Sequence, residues 1–164
     1  MIDSISPTLI LRTVLLVEPR PSGYIKTRFG IFPDDAHKKF VKALTNGLKL
    51  YKGIITDKEQ PLFVRITYYL KRKHVDRNRV LPTGVPDLDN LTKPTLDSLK
   101  PEKIRRKIVG LGVIPDDSQI TDLYVRKRYA KLNPKLIIEI WKHSKTQLEP
   151  DQYLTELFPT GIPR

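Results

Sequence analysis

The sequence predicts an α+β domain in which two main helices pack on one small mixed sheet of about four strands. Two patterns support this prediction. Apolar residues alternate over 62–70, which predicts a strand, and they recur every three to four residues after position 35, which predicts an amphipathic helix. The predicted order of elements is β-α-β-α-β-β, and 164 residues suffice for one domain with its own core.

The first half of the chain gives three elements. A segment rich in Leu, Ile, Val and Thr predicts a strand over 8–18, and the prolines and glycines of 19–33 predict a loop. Asp34 or Asp35 can cap a helix that continues to about residue 52. The alternating strand 62–70 follows, and a long basic loop comes after it.

The second half gives a helix and two strands. A stripe of leucines predicts the helix. Because Pro94 has no N–H group, we expect this helix to begin near Asn90, with Pro94 in its first turn. Strands are predicted over 120–129 and 135–141, with a turn between them.

Composition indicates an acidic partner. The chain has 30 Lys and Arg against 18 Asp and Glu, a net charge of +12 and a pI near 9.9. We expect nucleic acid rather than a bilayer, because no basic amphipathic helix stands out, and we expect no small-molecule cofactor. Without cysteine, disulfides and thiolate metal sites are excluded. Arg12 interrupts the N-terminal apolar run, which favours a strand over a signal peptide or a membrane span.

Two acidic segments stand out in this basic chain, "VPDLDNLTKPTLDSL" and "VIPDDSQITD". In the first, Asp87 and Asp89 are two residues apart and point to one face of an extended chain. Two adjacent carboxylates repel each other unless a cation lies between them or one is protonated. Oxygen ligands with no His or Cys nearby suit Mg²⁺, or Mn²⁺ as a substitute, rather than zinc.

Three further residues complete a candidate site for metal-dependent catalysis. Lys93 follows Asp89 by one helical turn and can reach the same place. Asp116 and Asp117, after a proline in the second segment, can supply the remaining ligands. A divalent ion held in this way can activate water and stabilise the leaving oxygen of a phosphodiester, while basic loops hold the phosphate backbone.

Structural roles explain each acidic residue on its own. Asp89 or Asn90 can cap the second helix, and Asp116 with Asp117 forms a good turn sequence. The co-occurrence of two acidic segments, a lysine one turn away and basic segments on both sides favours the metal site.

The two segments resemble the signature of the RusA family of Holliday junction resolvases. The shared pattern is Asp-x-Asp-Asn-Leu, a lysine and a Leu-Asp-x-Leu helix, followed by Gly, a short apolar stretch and Asp-Asp-Ser-Gln-Ile. Two separated motifs agree in order and internal spacing, and the resemblance covers about residues 8–141.

The resemblance implies the chemistry of the site. Asp87, Asp89 and Asp117 would be magnesium ligands with Asp116 beside them, and Lys93 would be a catalytic lysine, so that the catalytic set is Asp87, Asp89, Lys93 and Asp117. It also implies a homodimer that makes paired nicks in a four-way DNA junction during recombination and repair. Such a protein would work in the cytoplasm of a bacterium or of a phage-infected host cell, near the nucleoid.

The chain departs from the family pattern in three places. A basic insert, "KPEKIRRKIVG", separates the motif helix from the second acidic segment, and we expect it to be helical after Pro101. Pro94 lies inside the motif helix. The C-terminal extension over 144–164, where a short helix is expected over 151–158, has no counterpart in the family pattern. We therefore divide the chain into a RusA-like domain over 1–143 and this extension.

Basic residues on either side of the acidic segments are expected to bind the DNA backbone. Seen alone, each basic run would be a solvated face. The expected DNA-binding residues are Lys26, Arg28, Lys71, Arg72, Lys73, Arg77, Arg79, Lys103, Arg105, Arg106 and Lys107. Loop aromatics could in addition stack on unpaired bases or pack in the core, namely Tyr24, Phe29 and Phe32.

The function predicted is a magnesium-dependent, structure-selective endodeoxyribonuclease that resolves Holliday junctions. A nuclease that prefers flaps or forks and a non-catalytic DNA-binding protein are the alternatives. For the homodimer, we expect the contact surface to include Tyr68 and Leu70 near a sheet edge, or an apolar face of the tail formed by Leu154, Leu157 and Phe158.

Overall fold

The computed structural model describes residues 7–21, 24–28, 30–74, 78–84, 86–104 and 107–143. The strands are β1 (Thr8–Leu15), β2 (Tyr24–Thr27), β3 (Gly30–Pro33), β4 (Leu62–Leu70), β5 (Glu102–Ile104), β6 (Lys107–Val109), β7 (Ile120–Tyr129) and β8 (Lys135–Lys142). The helices are α1 (Asp35–Leu48) and α2 (Leu88–Leu99), and short 3-10 turns lie at Lys49–Tyr51 and Asp117–Gln119.

One mixed sheet has the strand order β1-β8-β4-β7. Strand β8 pairs antiparallel with β1 and with β4, whereas β4 pairs parallel with β7. Within this sheet β7 is therefore an edge strand. The predicted mixed sheet of four strands, its two helices and the order β-α-β-α-β-β are confirmed, and two small hairpins, β2–β3 and β5–β6, are added to them.

The core lies between the two helices and one face of the sheet. Alternate residues of β4 and β8, such as Ile66 and Ile138, are fully buried there, as the period of two requires. Helix α1 contributes Phe40 and Leu44 at helical spacing. Its predicted cap is confirmed, because the Asp34 carboxylate accepts a hydrogen bond of 2.6 Å from the His37 N–H group.

Helix α2 begins earlier than predicted. It starts at Leu88 with Asp87 as the N-cap residue, so Pro94 lies in the helix interior rather than in the first turn. The proline removes the hydrogen bond that the Asn90 carbonyl would accept in a regular helix. Side-chain hydroxyls supplement the backbone bonds of α2, since Thr92 and Ser98 donate to carbonyls four residues earlier at 2.6 and 2.7 Å. Tertiary contacts of α2 thus outweigh the local preference of proline.

Two other sequence predictions on secondary structure were wrong. The segment 19–33 is not only loop, because β2 and β3 pair antiparallel within it. The basic insert after Pro101 is not helical, because β5 and β6 pair there, with Glu102 opposite Val109. Its β-branched residues Ile104, Ile108 and Val109 favour strands over helices, which explains the hairpin.

The prediction that Tyr68 and Leu70 contribute to a dimer surface was also wrong. Both residues are buried, and Tyr68 has no exposed surface at all. Strand β4 has a neighbour on each side, β8 and β7, so it is an inner strand and its even-numbered residues point into the core.

The C-terminal extension, with its expected helix over 151–158 and its apolar residues, lies outside the described residues. Within the described ranges, no helix is long and apolar enough to cross a bilayer.

Tyr68 joins α2 to the sheet. Its hydroxyl lies 3.0 Å from the Leu91 carbonyl oxygen and 2.9 Å from the Thr95 hydroxyl, both in the middle of α2. Burial raises the pKa of Tyr68 to about 12, although the hydrogen bond with Thr95 acts in the opposite direction. This contact fixes the position of the helix that carries the first acidic segment.

We predict that Tyr68→Phe lowers the free energy of unfolding by about 1–2 kcal/mol, because it leaves a buried hydroxyl of α2 without its partner on β4. For a chain of this length, the melting temperature should fall by about 2–4 °C per kcal/mol. Tyr51→Phe is the matched control, since the Tyr51 hydroxyl makes no hydrogen bond with any described residue. Equal melting temperatures for the two variants would contradict the anchoring role of Tyr68.

Candidate active site

An open groove of ≈ 650 Å³ runs along α2, between this helix and the edge strand β7. Asp89, Lys93 and Asp97 recur every four residues and therefore line one side of it. The groove is completed by Leu88, Thr92, Leu96, Lys100, Asp117, Leu123 and Val125. Residues from both acidic segments thus line the same groove.

The two acidic segments contribute to opposite ends of this groove. Asp89 lies in the first turn of α2, whereas Asp117 contacts Lys100, the residue that follows the helix. From Asp89 to Asp97 the helix rises about 12 Å, at about 1.5 Å per residue. We refer to the two ends as the Asp89 end and the Asp117 end.

At the Asp89 end, the predicted site residues are free for a ligand. Asp87 is the N-cap residue of α2 but makes no capping hydrogen bond through its side chain. Asp87, Asp89 and Lys93 are exposed, and their side chains make no hydrogen bond or ion pair with the described residues. An exposed Lys93 one turn from Asp89 agrees with the spacing argument made from the sequence.

At the Asp117 end, the Lys100 ammonium group already forms ion pairs with Asp97 and Asp117. Lys100 Nζ lies 2.8 Å from Asp117 Oδ2 and 3.0 Å from Asp97 Oδ1. Burial disfavours the charge on Lys100, but the hydrogen bonds to Asp117 and Asp97 outweigh it and raise the pKa of Lys100. The contact with Asp117 could not be predicted from local spacing, because Lys100 is one member of a basic run and Asp117 lies 17 residues further along the chain.

Asp116 acts as a helix cap in this structure. Its carboxylate accepts a hydrogen bond of 2.9 Å from the Ser118 N–H group, and its own N–H group donates to Gln119 Oε1 at 3.3 Å. The bond from Ser118 lowers the pKa of Asp116. The turn that the sequence predicts at Asp116 is therefore present, and Asp116 caps it.

Gln119 is the residue that holds the acidic turn against the rest of the fold. It is buried, and its amide nitrogen donates to the carbonyl oxygens of Asp57 at 2.7 Å and Gln60 at 3.1 Å. One side chain thus joins the turn that carries Asp117 to the loop before β4. The glutamine of the second motif therefore has a structural role.

Lys127 does the same for the first acidic segment. From β7, its ammonium group donates to the carbonyl oxygens of Gly84 at 2.7 Å and Pro86 at 2.8 Å. Pro86 directly precedes Asp87 and Gly84 lies three residues before it, so the strand fixes the entry into α2. The sequence did not indicate this role, because Lys127 lies in the middle of a predicted strand.

Of the expected DNA-binding residues, the structure describes the side chains of five. Arg28, Lys71, Lys73 and Arg79 are exposed, and Arg72 lies with its guanidinium 4.1 Å from the centre of the Tyr129 ring. The remaining expected residues have side chains outside the described part: Lys26, Arg77, Lys103, Arg105, Arg106 and Lys107. The side chains of Tyr24, Phe29 and Phe32 also lie outside it.

The Asp89 end fits a magnesium ion. Within the described part of the chain, no group of three or more carboxylate or histidine side chains surrounds one point, so Asp87, Asp89, Asp116 and Asp117 do not form a closed cage. Magnesium does not need one, because it commonly keeps several waters and binds one or two carboxylates together with substrate phosphates. Asp87 and Asp89 offer two such carboxylates without a competing partner.

Comparison with protein-family models identifies a family for most of the chain. The family model described as endodeoxyribonuclease RusA matches residues 17–141, which is most of the chain. The comparison with curated proteins found no similar sequence.

We predict that Gln119→Ala lowers the free energy of unfolding by about 2–3 kcal/mol, because it leaves buried backbone groups without partners. Asp116→Asn should change it by less than about 0.5 kcal/mol, since asparagine caps as well as aspartate. Urea unfolding of both variants measures the difference. A Gln119→Ala protein as stable as the wild type would show that the acidic turn is held by other contacts.

Proposed function

The chain belongs to the RusA family of endodeoxyribonucleases, and we propose that it is a magnesium-dependent, structure-selective enzyme that resolves Holliday junctions by paired nicking during recombination and repair. One observation carries the proposal beyond family membership. The unpaired carboxylate of Asp89 and the unpaired ammonium group of Lys93 line an open groove on a chain of net charge +12, and the unpaired Asp87 is the N-cap residue of the same helix. A basic protein gains from such a groove if a cation and a phosphodiester meet there.

We assign the residues of the Asp89 end to the cation and the scissile phosphate. Asp87 and Asp89 would hold Mg²⁺, or Mn²⁺ in its place, and the bound ion would supply an activated water and neutralise charge on the departing oxygen. Lys93, one turn along the same side of α2, can place its ammonium group against a phosphate oxygen. Lys127 keeps the chain before Asp87 in place through its two carbonyl contacts.

The Asp117 end has a different role in this proposal. Lys100 offsets part of the negative charge of Asp97 and Asp117 there, which reduces the repulsion that a polyanion meets at this end of the groove. The family resemblance makes Asp117 a metal ligand, and Lys100 must release Asp117 before that carboxylate can bind an ion.

Paired nicking also implies two active sites, so we propose a homodimer. Two nicks on strands of like polarity require two sites related by the approximate two-fold symmetry of a four-way junction, and closed two-fold dimers are the commonest soluble oligomers. Sedimentation at micromolar concentration tests this assembly. A stable monomer that still makes paired nicks would contradict it.

We predict that Asp87→Asn and Asp89→Asn each lower the rate of nicking of a synthetic four-way junction in Mg²⁺ by roughly 100-fold or more. Junction binding should persist or tighten, because removing a carboxylate also reduces repulsion of phosphate. Asp116→Asn removes the same charge but keeps its cap, so it should retain activity within about threefold.

A variant at residue 87 or 89 that nicks at the wild-type rate would remove that residue from the site. Forks and flaps serve as competing substrates in the same assay. Equal rates on forks, flaps and four-way junctions would replace the proposed resolvase with a broader nuclease, and no nicking of any substrate in Mg²⁺ or Mn²⁺ would leave a DNA-binding protein without activity.

A further inference from the structure

A second groove, of ≈ 760 Å³, lies at the end of the sheet formed by β4, β7 and the turn into β8. Four of its described lining residues are cations, Arg126, Arg128, Lys131 and Lys135, and none of the described lining residues is acidic. The others include Tyr69, Tyr129, Asn133 and two exposed leucines. We call this surface the basic groove.

The sheet register places an aromatic ring between two cations in this groove. Tyr69 on β4 is opposite Arg128 on β7 and opposite Lys135 on β8. Lys135 Nζ lies 5.0 Å from the centre of the Tyr69 ring. Aromatic rings flanked by lysine and arginine are typical of surfaces that bind nucleic-acid backbones and bases.

Acidic residues on the same face do not neutralise the groove. Glu139 is the buried carboxylate of this face, and it is already held by Arg65 at 2.6 and 2.9 Å and by Arg12 at 3.5 Å. The partner that fits the basic groove is therefore a polyanion. A second copy of this chain fits poorly, because a two-fold contact centred here would set like charges against each other.

The basic groove and the candidate active site lie on opposite sides of β7. Leu123 and Val125 face the groove along α2, whereas Arg126 and Arg128 alternate to the other side of the same strand. From Val125 to Arg128 the strand rises about 10 Å. A strand at the sheet edge separates the two grooves. We therefore expect that a straight duplex bound in one groove does not extend into the other, whereas two arms that diverge from a branch can occupy both.

We propose that the basic groove binds the backbone of a second arm of branched DNA while the groove along α2 holds the strand to be cut. This inference rests on the proposed function and adds to it a reason for preferring branched over linear DNA. The basic groove comes close to the start of the candidate site, since Tyr129 lines it and also lines a smaller pocket formed with Gly84 and Pro86, just before Asp87.

The test compares Lys131→Gln/Lys135→Gln with the wild type in EDTA, where no metal-dependent nicking occurs. Affinity for a four-way junction should fall on the order of tenfold, and the slope of log affinity against log salt should decrease by about 2, one for each lost phosphate contact. Affinity for a linear duplex with the same total length should change by less than twofold. Lys39→Gln/Lys42→Gln removes the same charge from the exposed side of α1, away from both grooves, and should leave both affinities unchanged.

Four outcomes would overturn the inference. Unchanged junction affinity and salt slope would show that the basic groove makes no DNA contact, while junction binding by the wild type would leave the proposed function intact. Equal losses on junction and linear duplex would show a general backbone site rather than a second-arm site. A change in sedimentation without a change in DNA affinity would assign the groove to self-association. Failure of the wild-type protein to bind any DNA would overturn the inference together with the proposed function.

Discussion

Parallel pairing of β4 with β7 is the constraint on which the candidate site depends. Parallel neighbours cannot be joined by a tight turn, so the chain must cross over between them, and here the crossover contains α2. The first acidic segment contains this helix, and the 3-10 turn of the second segment ends directly before β7. One β-α-β unit therefore brings both segments to the same groove, although about thirty residues separate them in the sequence.

The same unit explains why the acidic residues are spread along the groove. A crossover helix runs antiparallel to the strands that it joins, so its start and the start of β7 lie at opposite ends of the sheet. Asp89 therefore lies towards one end of the sheet and Asp117 towards the other. Three tertiary contacts then fix the parts: Tyr68 holds the middle of α2, Lys127 holds its entry, and Gln119 holds the acidic turn.

Local patterns in the sequence predicted the main elements and the identity of the acidic segments. The alternation in β4 and the Asp34 cap depend on neighbouring residues, and both are confirmed. The contact of Lys100 with Asp117 and the role of Lys127 could not be predicted in this way, because these partners lie 17 and 41 to 43 residues away in the chain. The start of α2 was misplaced for a related reason, since packing against β4 outweighs the local cost of Pro94.

Calorimetric titration of Mg²⁺ into the DNA-free protein tests most directly whether the two ends of the groove differ in Mg²⁺ binding. The proposed ion site lies at the Asp89 end, so Asp89→Asn should abolish measurable binding, whereas Asp117→Asn should keep the affinity within a few-fold, because Lys100 already pairs with Asp117. Equal loss of Mg²⁺ binding in both variants would contradict the account and show that the two acidic segments close around a single ion.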